Sequence, residues 1–552
     1  MAHRILPGML RSTLAIIGVL TAFASALAEP PNLVVQITVD QLRGDMPHRI
    51  ADRLIDSGPG GFNYFLSQGI VYTNAHYGHA STYTATGHAT LFTGGDAAQH
   101  GFPGNYWVDR ASGERVYCVA DERFPLLAGA NDGVGASPQY LTSSTIGDEL
   151  IIGTGGRARV YSVSVKDRGA IIPAGRSGKA FWYSRRTGGF TTSSYYFEAL
   201  PAWVRNWNQQ KLADTYRDQR WELLHDRASY SFADAGRPWE RSYGGLGKTF
   251  PHTTTRDDLR AHYRELRYTP FADELTLAFV KELVENEKLG LTGTVDFLSI
   301  GFSATDYIGH AFGPNSLEAE DNLLRLDRTL AELLSFLDAH LGLQKVLLVL
   351  SSDHGVDAAP EYKNTLGFDV GRIDPAAVKL KLEKALQARF SNEQAFIADI
   401  SIPGVYLHAD AAAGVKLAAA ELEDVVAQEL LEIPGIAMAV SRSRLMANAL
   451  PRTPLHTMVQ RAFHRERSGD VFMVQGQSWF LSPAVDEDAA THGSPYSYDT
   501  YVPIMFVRSG VSPQRVTRRI GPESVAPTLA AILRIKPPTA SHGEVLKELF
   551  VR

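Results

Sequence analysis

Five short runs along the chain are apolar at nearly every position: "NLVVQITV" (32–39), "RVYSVSV" (159–165), "VDFLSI" (295–300), "KVLLVLSS" (345–352) and "VPIMFV" (502–507). A strand with one wet face alternates, whereas a strand covered on both faces reads as a near-continuous apolar run. Helical patterns lie between these runs, the longest being "EAEDNLLRLDRTLAELLSFLDAHL" (318–341). Strands alternating with helices predict an α/β fold around a central, mostly parallel sheet. Two regions break the alternation. Residues about 176–250 are rich in aromatics, Gly and Ser, with little helical period, and they begin an insertion counted to about 290. Residues about 365–480 predict a second α+β stretch, helical at 376–389 and 415–430 and strand-like at 400–407 and 471–481. Both are expected to cap the sheet edge inside one domain spanning 29–552.

The first residues follow a different pattern. Arg4 and Arg11 precede the apolar run "LAIIGVLTAFASALA", which ends in Ala26-Leu27-Ala28. A basic segment, an apolar segment and an A-x-A site predict a cleaved signal peptide over 1–28, with the mature chain starting at Glu29. The rival is an uncleaved anchor, for which the run is short against the roughly 20 residues a span needs. The chain is therefore expected in the periplasm or secreted.

Charge and cysteine narrow the picture. With 54 Lys and Arg against 60 Asp and Glu the formal charge is −6, and losing two arginines takes it to −8. A mildly acidic chain is a poor candidate for a sequence-independent nucleic-acid binder, which would show a basic stripe. Cys118 is the only cysteine, so no intrachain disulfide is possible. It lies in the alternating "RVYCVA" and is expected to be a buried small hydrophobe.

Charged groups then gather where apolar runs end, which in an α/β sheet is where reactive residues collect. Asp40 follows the first run in "ITVDQLRGD", Lys166 the second, and Asp353-His354 close the fourth in "LVLSSDHG". Asp306 and His310 in "SATDYIGHAFG" are four apart, one helical turn on the same side. His492 sits in the loop "THGSPYSYD". Each has a bland account as cap, core histidine or turn former. Jointly they are the ligands a divalent metal such as zinc uses, and their number fits two sites better than one.

Two further segments are polar where a fold gains little from it. In "SVSVKDRGAIIPAG" (162–175), Lys166 and Arg168 are two apart at the expected strand end, so both side chains should leave on one face. Paired cations await an anion. In "HASTYTATGHATLFTGGDAAQHGFPGNYW" (79–107), Thr84 and His88 fall at the start of a predicted helix, whose N-terminus favours phosphate or an alkoxide. Thr82, Thr84 and Thr86 are equally acceptable as ordinary caps, and the local pattern does not choose among them.

Together with "VDQLRGD", "GDEL", "FWYS" and "THGSPYSYDTYVPI", these segments resemble, over nearly the whole mature chain, the alkaline phosphatase superfamily and its phosphate-irrepressible (PafA-type) alkaline phosphatases. The resemblance implies an alkaline-phosphatase-like sandwich, with Thr84 as nucleophile and Asn105, Lys166 and Arg168 on the phosphoryl group. It implies two zinc ions, one on Asp306, His310 and His492, the other on Asp40, Asp353, His354 and the Thr84 oxygen. Lys166 would replace the third, magnesium site of the serine-nucleophile branch.

The expectation is a zinc-dependent phosphate monoesterase of broad specificity, working through a phosphothreonine, because a cationic pair matches the dianion of a monoester. The rival is a phosphodiesterase or nucleotide pyrophosphatase of the same superfamily, without the K-x-R pair. A sulfatase would carry a C/S-x-P-x-R segment, which is absent. A non-catalytic metal scaffold would not need Thr84 and the cations. Small phosphate monoesters are the expected partners, with no nucleic acid, no membrane span after cleavage, and a monomeric chain. The aromatics of 176–250 are expected to be packing ahead of a stacking platform for the leaving group.

Overall fold

The computed structural model describes residues 30–127, 134–234, 236–482 and 488–550. The predicted signal peptide lies outside them. Each of the five apolar runs forms a strand of one nine-stranded sheet. In chain order the strands are β1 (Leu33–Val39), β2 (Ile70–His76), β3 (Val160–Ser164), β4 (Lys179–Tyr183), β5 (Phe190–Thr191), β6 (Asp296–Phe302), β7 (Val346–Ser351), β8 (Tyr501–Val507) and β9 (Gln514–Val516). They lie side by side as β9-β2-β8-β7-β1-β6-β3-β4-β5. The five strands from β7 to β4 are mutually parallel, and antiparallel pairs occur at β8 and β5. The sheet is mixed and mostly parallel, as the alternation predicts.

All seven residues of β1 are buried, because helices cover both faces. Leu33, Val35, Ile37 and Val39 pack into one core cluster, while Val34 joins the other with Leu347 and Val349 of β7. Four helices matter for the site: α1 (Thr84–Thr93), α2 (Asp167–Ala174), α3 (Ala304–Phe312) and α4 (Leu317–Leu341). α4 shows why its sequence folds as it does. The Ser316 hydroxyl accepts from the N–H of Ala319 at 3.1 Å, capping the first turn. Leu323, Leu326, Leu330, Leu333, Leu334 and Leu337 form the buried stripe, and Gly342 at φ 84° ends the helix. Each fully buried leucine stabilises the layer by roughly 1.5–3 kcal/mol.

Residues 397–475 include a second, antiparallel sheet of four strands: Ile397–Ser401, Gly404–Leu407, Val471–Gln475 and Ile436–Ser441. Helices Pro375–Phe390 and Ala419–Leu431 cover it and share its core cluster. Among the described residues no helix is long and apolar enough to cross a membrane.

The parallel strands end together at one edge of the large sheet. Asp40 follows β1, Lys166 lies two residues past β3, Asp306 lies on the helix after β6, and Asp353-His354 follow β7. One expectation needs correcting here. Lys166 and Arg168 are not alternate positions of a strand, since β3 stops at Ser164 and Asp167 starts α2. Lys166 is the extended residue before the helix and Arg168 is in its first turn, so strand alternation is not what brings both side chains to one cavity.

Candidate active site

The strand ends bring the predicted acids and imidazoles into contact. Asp306, His354 and His492 place ligand atoms within 4.8 Å of one another, and so do Asp40, Asp353 and His354. The second group holds the two acids and the histidine of the second expected set, without the Thr84 oxygen. In the first, His354 stands beside Asp306 and His492, while His310 approaches the same carboxylate from the next helical turn, Nε2 to Asp306 Oδ1 at 3.2 Å. His492 Nε2 lies 3.6 Å from that oxygen. The rings of His354 and His492 stack with centroids 3.5 Å apart, which joins the two groups into one centre.

The histidines are oriented by backbone carbonyls. Nδ1 of His310 pairs with Ala490 O at 2.8 Å, that of His354 with Gly355 O at 3.0 Å, and that of His492 with Thr82 O at 2.7 Å. A carbonyl only accepts, so each Nδ1 carries a proton, and the neutral rings of His354 and His492 turn a lone pair on Nε2 inward. His354 Nε2 then faces Asp40 Oδ1 at 3.5 Å and Asp353 Oδ2 at 3.4 Å, acceptor against acceptor. These three atoms and Asp40 Oδ2 are buried without a hydrogen-bond donor. Lys166 Nζ comes within 2.7 Å of Asp40 Oδ2, yet off hydrogen-bond alignment. Buried acceptors facing one another are costly, and a divalent cation with nitrogen and oxygen ligands is what such a set fits.

The electrostatics agree. Burial, then the neighbouring Asp306 and Asp353 carboxylates, push Asp40 well above the usual carboxylate range. Burial lifts Asp353 to about 6 and pulls His354 down to about 3. Burial lowers His310 too, but the Asp306 carboxylate outweighs it and raises the imidazole to about 9. A proton on His310 Nε2 occupies the direction a metal would take, so the two compete for one position.

Thr84 is the first residue of α1 and is buried. The three candidate threonines now separate by their partners. The Thr82 hydroxyl donates to Ser494 O at 2.8 Å and that of Thr86 to Phe102 O at 3.0 Å, so both are spent on backbone. Thr84 Oγ1 instead has Arg168 Nη2 at 3.5 Å. α1 can lie against the end of β7 because residue 87 is glycine; a Cβ there would fall 2.0 Å from Asp353 O. Asn105 accepts the N–H of Ala85 at 2.9 Å through Oδ1, which leaves its amide nitrogen to donate. His88 Nε2 stands 3.8 Å from Asp353 Oδ2, behind the cluster.

Lys166 is buried between carboxylates, in contact with Asp306 Oδ2 as well as Asp40. Burial lowers its pKa, but Asp306 and Asp40 reverse this and keep the ammonium charged. The tyrosine that orients Arg168 was not singled out in the sequence: Arg168 Nη1 donates to Tyr117 OH at 3.2 Å, and Tyr117 OH donates to Asp167 Oδ1 at 2.5 Å. Its only sequence signal is its place in "RVYCVA", beside Cys118, whose thiol is buried and pushed up by burial. A cavity of about 380 Å³ adjoins Lys166 and Arg168, and Trp182, Tyr183 and Tyr307 are among its lining residues. Trp182 and Tyr183 are buried, so this part of the aromatic stretch is packing that also walls a cavity.

The sequence profile of the type I phosphodiesterase / nucleotide pyrophosphatase family matches residues 34–495. A protein of Myroides odoratus named "Calcium-transporting ATPase" is 34% identical over 535 residues, covering 95% of this chain and 96% of its own. "Alkaline phosphatase PhoV" of Synechococcus elongatus is 34% identical, covering 94% of this chain and 93% of its own. A crystal structure of the wild-type alkaline phosphatase PafA superposes with a TM-score of 0.88 at 31% identity, covering 95% of this chain and 99% of that one.

Proposed function

Because the chain belongs to the type I phosphodiesterase / nucleotide pyrophosphatase family, and within that superfamily to the PafA-type alkaline phosphatases, we propose that it is a zinc-dependent phosphate monoesterase acting through a phosphothreonine on Thr84. We read residues 29–552 as one catalytic domain with insertions at about 176–290 and 365–480. In this reading it is exported as a monomer and works on small monoesters in the periplasm or outside the cell.

Two zinc ions, one on Asp306, His310 and His492 and one on Asp40, Asp353, His354 and the Thr84 oxygen, would supply Lewis acidity at both ends of the displacement. The chain's own residues do the rest. Thr84 Oγ1 forms a bond to phosphorus while the bond from phosphorus to the ester oxygen breaks, and the proton that Thr84 gives up is balanced by the one the departing oxygen takes up to leave as the alcohol. Water then attacks the phosphothreonine, releasing orthophosphate and restoring the Thr84 hydroxyl. Asn105 donates its amide hydrogens, Arg168 its guanidinium, and Lys166 its ammonium to the non-bridging oxygens, so charge on the transferring group is met by fixed donors.

The observation that carries this reading is the Arg168 guanidinium standing beside the Thr84 hydroxyl. A monoester dianion fills such a place with oxygen, whereas a diester would press an organic group against a half-buried cation. The family profile's name keeps diester hydrolysis as the second reading. Comparing p-nitrophenyl phosphate with bis-p-nitrophenyl phosphate separates them. The monoester should be the better substrate, and Lys166→Ala with Arg168→Ala should cost it roughly 100- to 1,000-fold while sparing the diester. Preference for the diester in the unaltered enzyme would reverse the assignment.

A further inference from the structure

Gln41 follows Asp40 at the end of β1 and is buried, with its backbone at φ 67°. Residues with a Cβ rarely hold this left-handed conformation, and it persists where the surroundings over-determine it. Two contacts do so here. The Gln41 backbone N–H donates to Asp353 Oδ1 at 3.2 Å, and its side-chain Nε2 donates to Asp306 Oδ1 at 2.9 Å. One residue therefore holds a carboxylate from each of the two acidic groups. An ionised carboxylate only accepts, which fixes Nε2 as the end of the amide facing Asp306. The other end is seated over α3, where residue 309 has no side chain; a Cβ on Gly309 would lie 1.9 Å from Gln41 Oε1.

The contact decides how Asp306 points. Its Oδ2 meets Lys166, and its Oδ1 meets Gln41 with His310 and His492 close by. Without the amide, Oδ1 keeps only the imidazoles at 3.2 and 3.6 Å against the pull of the ammonium on Oδ2, which would draw the carboxylate away from the ligand position. We propose that Gln41 is the positioning residue of the metal centre, pinning Asp306 by its amide and Asp353 by its backbone, with Gly309 as the seat that admits it. This rests on the reading of the acid and imidazole groups as metal ligands. Groups that orient metal ligands typically matter ten- to a hundredfold in affinity or activity.

The test loads the whole enzyme and its Gln41→Gly and Gln41→Glu variants with Zn²⁺ and measures retention against a competing chelator. The visible spectrum of the Co²⁺-loaded forms and the metal-free melting temperature are recorded alongside. Gln41→Gly keeps the N–H to Asp353 and suits the left-handed backbone, so metal-free stability should hold while zinc retention falls roughly ten- to a hundredfold and the cobalt spectrum shifts. Gln41→Glu keeps the shape but sets a second carboxylate against Asp306, so at alkaline pH it should retain zinc worse than glycine does. A space-filling role gives the reverse order, with Glu near the unaltered enzyme and Gly worst. Gly309→Ala, which drives a methyl group into the amide, should lower retention from the other side of the contact. Unchanged retention in the variants, or the reversed order, overturns the role of Gln41. An unaltered enzyme that binds neither metal overturns the metal centre itself, and this role with it.

Discussion

Arg168 Nη2 stands 3.5 Å from Thr84 Oγ1, although 84 positions separate the two residues. That places a permanent cation next to a hydroxyl whose neighbours Thr82 and Thr86 are both engaged with backbone carbonyls. Thr84→Ala should lower turnover by roughly a thousandfold or more, because the covalent step loses its nucleophile. Zinc content should stay near that of the unaltered enzyme, since the acid and imidazole ligands remain. Rapid quenching followed by peptide mass spectrometry should find phosphate on Thr84 in the unaltered enzyme alone. Normal turnover in the alanine variant would remove the residue from the mechanism.

Tyr117 tests whether the guanidinium must be held in place. Its hydroxyl takes a hydrogen bond from Arg168 and gives one to Asp167. Burial, then the Asp167 carboxylate, keep the phenol protonated and able to donate. Tyr117→Phe removes both bonds with little change of shape, and Asp167 keeps the N–H of Arg168 at 2.7 Å. The expected result is a loss of about tenfold in kcat/KM for a monoester, equivalent to roughly 1.4 kcal/mol. Hydrolysis of a diester, which has less use for the cation, should change less. Equal losses on both substrates would mean that the tyrosine supports the site as a whole and not Arg168.

What could be read from the sequence divides along physical lines. Charged residues that end fully apolar runs are conspicuous, so Asp40, Asp353 and His354 were legible together with the sheet edge that gathers them. Strand β2 was not, because "IVYTNAH" turns polar in its second half, where its side chains are only half buried. The alternation of "SVSVK" runs past the true end of β3, which is why Lys166 and Arg168 read as one strand face until Asp167 is seen to start a helix. The choice among three threonines needed their partners, Ser494 and Phe102, which no local pattern contains. Contacts such as Gln41 to Asp306 join residues 265 positions apart and leave no periodic trace.

The metal reading has its own test in removal and return. Asp40 and Asp353 are buried near one another, with acceptor atoms that no donor satisfies. Dialysis against a chelator should abolish turnover and lower the melting temperature, because the carboxylates are left to repel and a ligand that binds only the folded state is lost. Restoring zinc should recover both. Full activity in a preparation shown by elemental analysis to be metal-free would remove the metal from the mechanism.

A pH-dependent contact lies away from the acid and imidazole cluster, at the far end of α1. His542 Nε2 lies 3.0 Å from Asp96 Oδ2, and the His542 N–H donates to Gly94 O at 2.9 Å, tying the C-terminal segment to the end of α1. The hydrogen bond to Asp96 raises the His542 pKa against the opposing pull of burial. For Asp96, burial raises the pKa, but the His542 hydrogen bond and the neighbouring cations outweigh it and the net shift is downward. The raised histidine contributes stability that is complete below its unfolded pKa and disappears as pH climbs through the folded value. The lowered aspartate contributes stability that is present above its unfolded pKa and disappears as pH falls through its folded value. Both conditions are met between about pH 4 and 6.5, the ordinary values of the two groups. His542→Ala should therefore destabilise the protein most in that window, by roughly 0.2–1 kcal/mol for a pair whose histidine is open to solvent and whose aspartate is buried. The difference should shrink toward alkaline pH, where the imidazole is neutral. Thermal melts of the two proteins across that range check it, and a penalty that stays constant into alkaline pH would show that His542 acts through packing and not through charge.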